Sequence, residues 1–216
     1  MSLGPRRGLV LALALSLPVV LAFGRPASAG APMEQLRGQV DRVLKTLEDP
    51  ELKRDGKAKE RRVAVRKIAE EIFDFSETAK RALGRHWLAR TPAERGEFVA
   101  LFSDLLERSY LSKIELYGGE KIAYGGEAVD GDQATVRTKM VTKQGSEIPI
   151  DYRMLRKGDR WLVYDVMIEG VSLIGNYRTQ FNKIIQTSSY QELVKKMKTK
   201  QEEFLEEERP KRTSQR

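Results

Sequence analysis

Trp161-Leu162-Val163-Tyr164-Asp165-Val166-Met167-Ile168 is apolar at every position but Asp165 and closes a segment whose hydrophobic period is two. Working back from it, strand-like runs occupy 121–129, 134–142, 147–156 and 160–168. They are separated by Asp130-Gly131, Gln144-Gly145 and Lys157-Gly158-Asp159, which carry turn chemistry. Val136 and Met140 alternate with Arg137 and Lys139, and Ile148, Ile150, Tyr152 and Met154 alternate with polar neighbours. These strands each bury one face. The last run is apolar on both sides, as a central or doubly covered strand would be. Connections this short make the four strands an antiparallel meander.

Helical periodicity surrounds this sheet. Leu36, Val40, Val43, Leu44 and Leu47 fall three and four apart within 33–47, and Asp49-Pro50 ends that stripe. Val65, Ile68, Ala69 and Ile72 repeat it within 57–73, and Ser76 to Leu83 reads as a short helix capped by Ser76 and stopped by Gly84. Thr91-Pro92-Ala93-Glu94 has the form of a capping box with proline at the first helical position. A long helix therefore starts there. Its apolar positions are Phe98, Leu101, Phe102, Leu105, Leu106, Tyr110, Ile114 and Tyr117, with Gly118-Gly119 as its stop. Helix resumes from Leu173 to Ile185 and again from Ser189. Helices, then strands, then helices is the order of an α+β domain: a curved antiparallel sheet of about four strands packed against several helices. Its cone shape leaves an interior to be filled by side chains or kept as an apolar cavity.

At the N-terminus, Arg6 and Arg7 precede an apolar stretch from Leu9 to Phe23, and Ala27-Ser28-Ala29 follows as a small-x-small tripeptide. Residues 1–29 are expected to be a cleaved export signal, because the stretch is short for a spanning helix and contains Pro18. The remainder divides into a domain over 30–200 and a charged tail over 201–216. Losing Arg6, Arg7 and Arg25 leaves 36 basic against 31 acidic side chains, a mild excess that does not indicate a nucleic-acid partner. With no cysteine there is neither a disulfide framework nor a site for lipidation. Nothing after residue 29 is apolar for long enough to span a bilayer.

Reaction chemistry finds few candidates. His86 is the only histidine, lies beside Trp87 and has no partner at motif spacing, so it reads as structural and no metal or cofactor is expected. Gly118-Gly119 and Gly125-Gly126 flank strands rather than opening a helix, and read as turns or bulges. Asp151, Asp165 and Glu169 are conceivable as a carboxylate set in a small cone-shaped enzyme. The plainer reading pairs Asp165 with an arginine of a neighbouring strand and leaves Asp151 on the polar side. No catalytic residue is assigned. The aromatic and aliphatic surplus of the long helix and the strands opposite it is either an ordinary core or a dry cavity for a hydrophobic ligand. Periodicity leaves both open.

Particular blocks carry a resemblance. Phe73-Asp74-Phe75, Ala82-Leu83-Gly84-Arg85-His86-Trp87, Thr91-Pro92 and Glu97-Phe98 are followed by Val136-Arg137-Thr138, Ile150-Asp151-Tyr152-Arg153 and Trp161-Leu162-Val163-Tyr164-Asp165-Val166. Glu169-Gly170-Val171-Ser172-Leu173, Asn176-Tyr177-Arg178 and Gln180-Phe181 complete the series. Together, over 35–197, they resemble the periplasmic MlaC family, also called the toluene tolerance auxiliary family. The resemblance implies a periplasmic carrier that holds phospholipid acyl chains between a curved sheet and helices. It also implies two partners, an inner-membrane ABC transport complex with an MCE-domain protein and an outer-membrane lipoprotein with a porin. A hopanoid or another membrane lipid is an alternative cargo. The expected lining is Phe98, Phe102, Leu105, Leu106 and Tyr110 on the long helix with Val136, Met140, Ile150, Tyr152, Val166 and Ile168 on the strands. Val171 is expected near the entrance. Asn176, Tyr177 and Arg178 are read as structural, with Arg178 a buried partner for Asp165 or, otherwise, a phosphate contact.

Overall fold

The computed structural model describes residues 31–207, so the expected export signal lies outside the described residues. Helices α1 (Ala31–Glu48), α2 (Ala58–Ile72), α3 (Phe75–Leu83) and α4 (Pro92–Glu115) precede strands β1 (Lys121–Asp130), β2 (Gln133–Val141), β3 (Glu147–Lys157), β4 (Arg160–Ile168) and β5 (Val171–Ser172). Helices α5 (Leu173–Thr187) and α6 (Tyr190–Glu207) follow, the latter continuing past residue 200. The sheet is antiparallel throughout, in the order β1-β2-β3-β4-β5. This is the α+β meander that the alternation predicts, with one strand more.

Local chemistry accounts for the boundaries. Thr91 accepts from the Glu94 amide while the Glu94 carboxylate accepts from the Thr91 amide, and Pro92 opens α4. The α3 cap is Asp74 rather than Ser76: its carboxylate accepts from the Glu77 amide at 2.9 Å. Asp74 also bonds β4 through its own amide, donated to the Val163 carbonyl at 2.9 Å, and this anchor starts the helix two residues earlier than a Ser76 cap would. Helix α4 ends at Glu115, before the glycine pair, which puts Tyr117 beyond the helix. The fifth strand escapes sequence reading because its two-residue turn, Glu169-Gly170, holds both residues at positive φ, 51° and 80°. Glutamate is an unusual occupant of that position. The Gly125-Gly126 pair does form a bulge, with the register shifting between Tyr124 and Gly126.

Two hydrophobic cores form and remain separate. Helices α3, α4, α5 and α6 enclose Leu83, Phe98, Phe102, Phe181 and Leu193. Phe102 meets Phe181 and Tyr177 edge-on, with ring centroids 5.2 and 5.1 Å apart. The second core lies between one sheet face and helices α1 and α2, around Leu36, Ile68, Ile72, Val136, Met154 and Val163. Strand β4 is covered on both sides as its apolar run predicts: Trp161, Val163, Tyr164 and Asp165 are all buried.

Candidate lipid-binding site

Register decides which side chains share a face. Val136 lies opposite Tyr152, and Tyr152 opposite Val166. Ile150 lies opposite Thr138 on one side and Ile168 on the other, and Met140 opposite Ile122 and Ile148. Alternation then puts all six predicted strand positions on the one face that α1 overlies. They run from full burial at Val136, under α1, through half-buried Tyr152, Val166, Ile150 and Met140 to Ile168 at 39% exposure. Val171, paired with Ile168, is 63% exposed at the end of that row. Tyr152 retains accessible surface although burial in protein pushes its phenol up to about 12.

The predicted helix positions divide. Phe98, Phe102 and Leu106 are buried in the all-helical core, whereas Leu105 and Tyr110 are half-buried at its margin beside Leu173 and Tyr177. Burial and the neighbouring Tyr177 raise the Tyr110 phenol. The structure thus unites the strand half of the predicted lining on one surface and separates it from Phe98 and Phe102. Residues outside the expected lining are Tyr124, Thr138, Ile122 and Ile148 on the same sheet face, and Val40 and Val43 of α1, which pack against the sheet core. Each carries the same period-two or helical signal as its neighbours. What was missing was knowledge of which helix overlies which row.

Helix α4 packs chiefly on α3 and α6 and is tied to α2 by ion pairs. Arg61 and Arg62 reach Glu115 at 3.5 and 3.1 Å, and Arg66 reaches Glu107 at 3.1 Å. Burial holds Glu107 above the usual carboxylate range, against the opposing pull of Arg66. Long charged side chains therefore bridge the seam between the helical unit and the α1–α2–sheet unit. Two shallow surface grooves, on α2 near Val63 and on α6 near Thr199, have charged rims and do not involve the sheet.

The polar candidates lie elsewhere. Asp165 points to the opposite side of β4, buried at 4% exposure, where it accepts from Ser172 Oγ at 2.6 Å, the Ile174 amide at 3.1 Å and Arg153 at 3.4 Å. Its arginine is therefore the neighbouring-strand Arg153, and Arg178 is not its partner. Arg178 is exposed, with its methylenes against Gly84, where a Cβ would sit 3.2 Å from Arg178 Cδ. Asp151 pairs in register with Arg137 and Met167, on the face away from the apolar row. His86 Nε2 lies 3.0 Å from Asn182 Oδ1, a structural contact between the α3 end and α5. No cluster of potential metal ligands occurs among the described residues.

The MlaC protein family model matches residues 37–199. The chain belongs to the MlaC family. A curated relative, the intermembrane phospholipid transport system binding protein MlaC of Haemophilus influenzae, is 25% identical over 122 residues, 54% of this chain and 57% of that protein. The aligned part thus spans little more than half the relative's length. A phospholipid-binding protein from Ralstonia solanacearum, solved in complex with a phospholipid, superposes with a TM-score of 0.72 at 27% identity, covering 82% of this chain and 99% of that one. The MlaC fold frames the apolar row just described: a sheet face closed at one end by α1 and left half-exposed toward Ile150 and Ile168.

Proposed function

We propose that this MlaC-family protein binds phospholipid by its acyl chains between the sheet face and the helices and carries it between membranes. The observation that carries this is the one-faced apolar row, Met140, Ile150, Tyr152, Val166 and Ile168, which runs from the α1-covered core out to an exposed end and is left only partly covered. Leu105 and Tyr110 complete the lining from the helical side, and exposed Val171 stands at its entrance.

A two-chain lipid has on the order of 30 methylenes, so exposing them to water costs roughly 20–25 kcal/mol at about 0.8 kcal/mol each. Free diffusion between bilayers is prohibitively slow, and a protein that covers the chains removes the barrier without breaking a bond. The headgroup stays at the wet entrance, so tolerance of different headgroups is expected. Asp151 and Asp165 have no part in this, being turned to the other face. Among the described residues no helix is long and apolar enough to cross a membrane. With the export signal expected over 1–29, the compartment is the periplasm and the cargo travels between an outer-membrane lipoprotein and an inner-membrane ABC complex bearing an MCE-domain protein. Native mass spectrometry of protein purified from its own envelope is expected to show about one phospholipid per chain. Folded protein that was never exposed to detergent and carries no lipid would refute the reading.

A further inference from the structure

Within the apolar face, two hydroxyls have no protein partner. The Tyr124 hydroxyl is buried and makes no hydrogen bond, and none to the Tyr152 hydroxyl is found among the described residues. Tyr124 stands opposite Thr138 on β2, and Tyr152 opposite Val136, so the two phenols flank β2 one row apart on the same face. The Thr138 hydroxyl cannot serve them, because it is donated to the Ile150 carbonyl at 2.8 Å. A buried donor without an acceptor costs about 1–3 kcal/mol, and folded proteins seldom leave one. Here Tyr124 carries one such hydroxyl, and the partly accessible Tyr152 lies beside it on the same face, among Val136, Met154, Val166 and the aliphatic stripe of α1, with Arg37 against the Tyr124 ring.

We infer that Tyr124 and Tyr152 form a hydrogen-bond donor site for an acceptor oxygen carried on the chain region of the bound lipid, inside the protein rather than at the headgroup. The inference rests on the lipid-binding reading above and adds a specificity to it. The chemistry suits the task. Burial, joined at Tyr124 by the charge of Asp41, raises both phenols to about 12, so each keeps its proton at any physiological pH. The Arg37 guanidinium, 4.6 Å from the Tyr124 ring centroid, polarises that ring and makes its hydroxyl a better donor. Two ligand chemistries supply such an oxygen on an apolar body: the ester carbonyl of an acyl chain, or a hydroxyl borne on the chain itself.

The test compares lipids that differ in that oxygen alone. Delipidated protein is offered vesicles of diester phosphatidylglycerol, its dialkyl ether analogue, or the ether analogue with a hydroxyl on one chain, and bound lipid is read by native mass spectrometry. Wild type is expected to favour an oxygen-bearing lipid over the plain ether by roughly tenfold. Preference for the diester assigns carbonyl recognition, and preference for the hydroxylated ether assigns the chain hydroxyl. The double variant Tyr124→Phe, Tyr152→Phe is expected to lose the preference while still binding the plain ether. Neither substitution removes a protein hydrogen bond, so the melting temperature of the lipid-free variants is expected to match or exceed that of wild type. Equal binding of all three lipids by wild type, or a preference that survives the double substitution, overturns this inference and leaves the lipid reading standing. Failure of wild type to take up any of them overturns both.

Discussion

Replacing Asp165 with alanine removes the one carboxylate on which a strand, a turn and a helix converge. Its oxygens accept from Ser172 Oγ, the Ile174 amide and Arg153. Ile174 is itself 4% exposed, so its amide would be left without an acceptor and out of reach of water, at about 1–3 kcal/mol. The N-terminus of α5 would also lose a compensating negative charge, about 0.5–1 kcal/mol. Arg153, whose side chain is 41% exposed, is resolvated, so its loss adds under about 1 kcal/mol. Ser172 retains its cap on the Gly175 amide at 2.8 Å. The expected destabilisation is about 3 kcal/mol, or a melting-temperature drop of roughly 6–12 °C for a domain of this size. Asp165→Asn keeps an acceptor for Ile174 and should lose about half as much. Urea unfolding followed by circular dichroism measures both. A loss below about 1 kcal/mol for the alanine variant would refute the view that this carboxylate holds α5 to the sheet.

Lining and core separate by substitution. Ile150→Trp fills half-exposed space and is expected to leave the fold intact while cutting lipid occupancy several-fold in native mass spectra. Phe98→Leu, at a position with no exposure, is expected to cost about 1–2 kcal/mol of stability while leaving the lipid-to-protein ratio of the folded fraction unchanged. Alkaline titration gives an independent check on burial. Tyr124, Tyr152 and Tyr190 are each raised to about 12 against an ordinary value of 10.0, so the folded state holds protons that the unfolded state releases. Stability from these phenols is complete below pH 10 and is lost as pH rises from about 10 to 12. Tyrosinate absorbance equivalent to all seven tyrosines, appearing with a normal midpoint while the protein is still folded, would contradict the burial of these three rings.

Much of the fold is written locally. The period-two segment from Lys121 to Ile168, its glycine turns and the Thr91-Pro92-Glu94 box specify their elements through backbone sterics and nearest-neighbour hydrogen bonds, and these operate the same way in any surroundings. Alternation likewise fixes that Val136, Ile150, Tyr152 and Val166 share a face with their cross-strand partners. Periodicity names a face, however, and is silent about what covers it. Phe98 and Ile150 give equally strong apolar signals, yet four helices close over Phe98 while α1 stops short of Ile150. Asp165 could be matched with an arginine by charge alone, but only the bulged register of β3 against β4 selects Arg153 over Arg178. The same limit applies to Tyr124, whose hydroxyl goes unpaired because of what the folded chain does not bring to it. Contact between distant segments depends on how whole elements pack, and that is settled by the summed burial of many side chains rather than by any stretch of sequence read on its own.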